Sequence, residues 1–200
     1  TSISLLIDGG KKSLKPVIYE FLFFEGNVFL SSEKNVVLIG MMGVGKSTVG
    51  RHLAVALRKD FFDSDKEIER NSGASISWIF DVEGEAGFRK RESEAIANIC
   101  LGENIVLATG GGAVVSEENR RILSDFGCVV FLSGSVELIL SRTEHDKSRP
   151  LLQRSNRAET ISRLLSERTP YYSGLADLTL DVAQLGIEKT VNNIIDFTRR

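Results

Sequence analysis

The chain has 200 residues, 42% hydrophobic and 26% charged, enough to bury one core without disulfide staples. Its 25 Lys and Arg against 27 Asp and Glu leave a net charge of -2, which offers no basic field to a nucleic acid backbone. Cys100 and Cys128 form no C-x-x-C pair, so a metal site or disulfide framework is disfavoured; the pair fits a reducing cytoplasm and buried apolar thiols.

Residues 1–34 contain no methionine and are expected to be a leader of unknown role outside the domain, its native or non-native origin left open. Val17 to Leu30 is rich in Phe, but Glu20, Glu25 and Gly26 interrupt it short of the ~20 apolar residues of a bilayer span. No small-residue cleavage site follows, and Lys11, Lys12 and Lys15 support a transit peptide only weakly. The domain is expected at 35–200. Apolar runs at Val36 to Ile39, Phe61 to Phe62, Ile105 to Ala108, Cys128 to Leu132 and Leu178 to Leu180 read as buried strands. Between them, helical spacing covers Lys46 to Leu57, Gly84 to Cys100, Ser116 to Asp125 and Arg157 to Arg168, and Ile187, Val191, Ile194 and Ile195 mark a last helix. This alternation predicts an α/β fold: a parallel sheet with right-handed crossovers and ligands at the carboxyl ends of its strands. Thr143 to Asn156 is polar, is broken by Pro150 and reads as a long exposed lid.

Gly40-Met41-Met42-Gly43-Val44-Gly45-Lys46-Ser47 matches G-x-x-x-x-G-K-S between a predicted strand and a predicted helix. Glycines let backbone N–H groups curl around phosphates, and the helix adds its positive end, so Gly43, Val44 and Gly45 are expected at ATP. Lys46 is expected at the β and γ phosphates, Ser47 at Mg²⁺ and Thr48 near the α phosphate. The strand Ile105 to Ala108 ends in Thr109 rather than Asp, so Asp63 is the candidate second metal ligand, acting through metal-bound water. Its alternative is a turn residue ahead of the helix that starts near Asp65.

Five further motifs follow in order: Asp63-Ser64-Asp65, Gly84-Glu85-Ala86-Gly87-Phe88-Arg89, Ala108-Thr109-Gly110-Gly111-Gly112, Arg149-Pro150-Leu151-Leu152 and Arg168-Thr169-Pro170. With the phosphate loop they resemble shikimate kinase, and the likeness runs from about Asn35 to Asp181. The resemblance implies a three-layer P-loop core with a five-stranded parallel sheet, a helical acceptor-binding subdomain at about 64–92 and a mobile lid at about 143–156. It also implies a cytoplasmic monomer acting on ATP and shikimate with Mg²⁺, and no nucleic acid or membrane partner.

In that family, Asp65 would hold the ring hydroxyls and act as base, although a helix N-cap is the commoner role for such a residue. Arg89 and Arg168 would clamp the acceptor carboxylate, a task suited to the guanidinium fork; beside Lys90 and Arg91, Arg89 alone reads as part of a solvated face. Gly110, Gly111 and Gly112 would let substrate approach bare backbone, with a flexible turn as the alternative. Arg149 looks like the lid residue that swings onto the phosphates, making it catalytic with Lys46 and Asp65. Arg142 resembles the adenine-stacking position, or is a solvated helix-end cation. Trp78, Ile79 and Phe80 resemble the acceptor wall, with core packing the better reading for Ile79. Tyr171 departs from the family's usual Leu, His145 falls in the lid with little weight as a titrating group, and His52 reads as helix surface. The rivals are a gluconate or nucleotide kinase of the same architecture, and a kinase-derived binding module without catalysis.

Overall fold

The computed structural model describes residues 34–144 and 156–199. Residues 1–33 of the leader and the segment 145–155 lie outside the described residues, and with the latter His145, Arg149 and Pro150. Five strands, β1 (Asn35–Ile39), β2 (Asp60–Asp63), β3 (Ile105–Ala108), β4 (Gly127–Ser133) and β5 (Leu178–Asp181), form one parallel sheet in the order β2-β3-β1-β4-β5. The expected sheet is therefore present, and its middle strand leads into the glycine loop. Val36, Val37, Leu38 and Ile39 are fully buried, which explains why β1 reads as a continuous apolar run instead of alternating.

Among the described residues, seven α-helices accompany the sheet: α1 (Lys46–Leu57), α2 (Ser64–Ser72), α3 (Ile76–Ile99), α4 (Glu117–Phe126), α5 (Val136–Thr143), α6 (Arg157–Leu175) and α7 (Val182–Thr198). Their starts follow from capping chemistry. Asp63 caps α2, Ser75 α3, Ser116 α4, Ser135 α5, Asn156 α6 and Asp181 α7, each side chain accepting from first-turn N–H groups that would otherwise lack partners. No helix among the described residues is long and apolar enough to cross a membrane.

Three helices depart from the expected bounds. α3 begins at Ile76 and bends at Gly84, whose φ of 70° and ψ of -176° lie outside the helical region. Arg91 spans the bend, its Nε and Nη2 donating to Glu83 Oε2 and Oε1 at 2.8 and 2.7 Å. α6 runs on through Pro170 to Leu175, although a helix-interior proline removes one donor. α7 starts at Val182 and bends at Gly186.

The main core joins both faces of the sheet to the helices, and a satellite core of Ile68, Ile79, Phe88 and Ala95 joins α2 to α3. Ile79 is thus a core residue, fully buried. Cys128 is buried, but Cys100 is only half-buried.

Candidate active site

The carboxyl ends of β1, β2 and β3 converge, and each delivers one part of the site. After β1, the loop 40–45 ends in Gly45, the left-handed N-cap of α1, at a φ of 98° that a side chain would resist. Lys46 curls back under this loop, its Nζ donating to the Gly40 and Met41 carbonyls at 2.7 and 2.8 Å. Arg142, at the end of α5, donates to the Val44 carbonyl at 3.0 Å and so meets the loop from the other side. These residues line a cleft of about 740 Å³ that also includes Ser47, Thr48, Asp63, Asp65, Gly111, Val182, Gly186 and Ile187.

After β2, one carboxylate serves two purposes. Asp63 Oδ2 accepts from the Ser47 hydroxyl at 2.5 Å, while Oδ1 accepts from the Asp65 and Lys66 N–H groups at 3.1 and 3.4 Å. The helix-start reading of Asp63 holds, and its other oxygen lies beside the Ser47 hydroxyl. Because Asp63 is the cap, Asp65 is not; it sits in the first turn of α2 with its side chain toward the cleft.

After β3, the glycine loop meets the second half of α3 and the middle of α6. Arg89 Nη1 bonds Glu92 Oε2 at 2.7 Å and its Nη2 bonds Glu85 Oε1 at 3.0 Å. Burial works against the Arg89 charge, but Glu92 and Glu85 more than offset it and hold the guanidinium above its ordinary pKa. Its side chain is 25% exposed, so it is not part of a solvated face. A Cβ on Gly112 would lie 2.3 Å from Arg89 Nη1, and one on Gly110 would lie 2.7 Å from Asp65 Oδ1, so these glycines make room for the charged groups. Arg168, 5% exposed, donates to the Gly111 carbonyl at 3.1 Å. Arg89, Arg168, Asp65 and Gly110 to Gly112 line a second cleft of about 240 Å³, together with Glu69, Ile76, Phe80, Phe88 and Glu92. Trp78 does not line it: the ring is 53% exposed, because helical spacing turns it away from Ile79 and Phe80.

The two clefts share Met42, Ser47, Asp63, Asp65 and Gly111. A ligand in one therefore abuts a ligand in the other. The family model for shikimate kinase matches residues 42–199. The chain belongs to the shikimate kinase family. It is 49% identical over 166 residues to a shikimate kinase of Vibrio vulnificus, covering 83% of this chain and 96% of that protein. Among solved structures, this kinase-family fold matches the shikimate kinase of Acinetobacter baumannii in complex with shikimate, with a TM-score of 0.80, 46% identity and coverage of 82% and 92% of the two chains. It also matches the Aquifex aeolicus shikimate kinase with a TM-score of 0.71, 38% identity and coverage of 80% and 94%.

Four residues in or behind this kinase's clefts escaped sequence reasoning. Glu92, 1% exposed, faces Arg89 one helical turn away, a spacing visible in the sequence but common on any charged helix. Burial pushes its carboxyl upward in pKa, with Arg89 opposing and the Asp65 charge adding. Ser64 accepts from the Gly110 N–H at 2.9 Å, and Tyr172 donates to the Gly111 carbonyl at 2.5 Å. Ile187 lines the larger cleft after the Gly186 bend. Only the fold brings Glu92 and Ile187 to the clefts, and Ser64 and Tyr172 to the loop behind them.

Proposed function

We propose that this chain catalyses ATP-dependent phosphorylation of the 3-hydroxyl of shikimate, giving shikimate 3-phosphate and ADP, a step of chorismate and aromatic amino acid biosynthesis. The observation that carries this reading is the convergence of two guanidiniums, Arg89 and Arg168, on a small cleft that shares a wall with the phosphate loop. Family membership supplies the acceptor: a ring with one carboxylate and three hydroxyls matches two arginines facing Asp65.

In this reading the nucleotide occupies the larger cleft. The Gly43, Val44 and Gly45 backbone and the α1 N-terminus hold its phosphates, Thr48 lies near the α phosphate, and Arg142 and Ile187 flank the base. Lys46 turns from the Gly40 and Met41 carbonyls onto the β and γ phosphates. Ser47 and Asp63 present two oxygen donors, a set that suits Mg²⁺, which takes few protein ligands and fills the rest with water and phosphate oxygens. When bound, the ion neutralises charge on the β and γ oxygens.

Arg89 and Arg168 grip the carboxylate, Gly110 to Gly112 meet the ring through bare backbone, and Asp65 accepts the proton of the 3-hydroxyl. The hydroxyl oxygen forms its bond to γ phosphorus as the bond to the β–γ bridging oxygen breaks in line, so catalysis rests on positioning and charge stabilisation. Arg149 completes the set from the lid, exposing ATP to attack only once the acceptor is in place. The activity belongs to residues 35–200, to a monomer in the cytoplasm, with 1–34 accessory.

A coupled ADP-release assay on the purified chain, run with shikimate, gluconate and nucleoside monophosphates, tests the reading. Turnover confined to shikimate and dependent on Mg²⁺ is expected. Preference for another acceptor, or rapid ATP hydrolysis with none, would overturn it.

A further inference from the structure

We propose that Tyr172 is a positioning residue for the acceptor: its hydroxyl pins the Gly111 carbonyl, so that the glycine loop stays in place when the Arg168 guanidinium engages a carboxylate. The inference rests on the shikimate reading above.

Tyr172 follows Arg168 by four residues on α6, which puts the two side chains on one face. Both reach the same acceptor atom, Arg168 Nη1 at 3.1 Å and Tyr172 Oη at 2.5 Å from the Gly111 oxygen. A carbonyl oxygen has two lone pairs and can take both donors. The donors differ in freedom. Tyr172 is 0% exposed, and its ring stacks on Phe131 with centroids 4.9 Å apart, so its hydroxyl has one position. Burial, against the pull of Arg168, pushes the phenol up to about 12, which keeps it a donor at neutral pH. The guanidinium fork carries five N–H donors and lines the acceptor cleft.

If Arg168 alone held Gly111, each turn toward a carboxylate would strip a part-buried carbonyl of its donor, which disfavours the turn. The Tyr172 hydroxyl removes that penalty. The pinned atom also matters for alignment, because Gly111 packs on the phosphate loop: a Cβ there would lie 3.2 Å from Met42 N and 3.4 Å from the Gly40 carbonyl. A shift at Gly111 would therefore move the acceptor loop against the loop that holds the phosphates.

The test is Tyr172→Phe, which deletes the hydroxyl and keeps the ring, with steady-state kinetics in both substrates. KM for shikimate should rise about tenfold, while KM for ATP stays within about twofold. Thr169→Val is the structural comparison, since it deletes a hydroxyl bonded at 2.6 Å to the Leu165 carbonyl within the same helix. It should lower the melting temperature without moving KM for shikimate. A shikimate KM unchanged in Tyr172→Phe, or raised equally in Thr169→Val, overturns the proposal. Should Tyr172→Phe fail to fold, 3,5-difluorotyrosine at 172 keeps the hydroxyl at neutral pH but ionises sooner: KM for shikimate should then climb with alkaline pH more steeply than in the parent, and identical profiles overturn the proposal. A parent chain that does not turn over shikimate overturns the functional reading itself and this inference with it.

Discussion

Lys46 donates to two carbonyls of its own loop, so its ammonium is held where a triphosphate would meet it. Replacing it with Met keeps much of the stem and deletes the charge. We expect kcat to fall at least about a hundredfold, about 3 kcal/mol of barrier, with acceptor affinity changed far less. Stopped-flow or coupled kinetics with a separate shikimate titration would check this. Arg89 belongs to the other substrate. With Glu92 and Glu85 on two of its nitrogens, Arg89→Ala should raise KM for shikimate by about tenfold or more and leave ATP affinity within about twofold, as isothermal titration with each ligand would show. Equal losses for both ligands would contradict the assignment.

Elements decide where these residues can act. The glycine loop after β3 carries no side chains where Arg89 passes, and Gly112→Ala tests that emptiness: its Cβ would lie 2.3–2.5 Å from three guanidinium atoms. Arg89 would have to leave the buried Glu92, so the melting temperature should fall by several degrees, while KM for shikimate rises about as far as in Arg89→Ala. Thermal melts and kinetics on the same preparation separate the two effects. At this scale the sequence was readable where one feature dominated. β1, with its apolar run and glycine loop, and α1, which opens on Lys46 and Ser47, have a single reading. α3 and α6 did not, because each breaks a local rule. Gly84 and Pro170 both argue for a stop, yet the chain continues: Glu83 and Arg91 clasp across the bend, and helix packing that buries Ile161, Leu164, Arg168 and Tyr172 carries α6 past its proline. Packing against distant segments is what a local pattern cannot contain. The same reason hid Glu92, Ser64 and Tyr172, ordinary residues until the sheet order brings α2, α3 and α6 around one loop.

For the whole molecule, the two thiols report on folding. Burial pushes Cys100 from 9.0 up to about 12, and burial together with the Asp177 charge takes Cys128 up to about 11. Native protein at pH 8 should therefore release almost no thionitrobenzoate from a disulfide reagent, whereas the urea-unfolded chain should release two equivalents, one for each of its 2 cysteines. The sign for stability follows. Folded thiols hold their protons to higher pH than unfolded ones, so their contribution is intact below pH 9.0 and is lost as pH rises through about 11 and about 12. Denaturant melts in steps from pH 8 upward should show this loss, and Cys100→Ala should blunt it.

The common wall of the two clefts, from Met42 and Ser47 through Asp63 and Asp65 to Gly111, has a pharmacological side. The two clefts meet along these residues, so a single molecule joining an adenosine phosphate to a carboxylated ring could reach into both. Its second half would bind as an intramolecular event, and affinity should then exceed that of either fragment without any new contact.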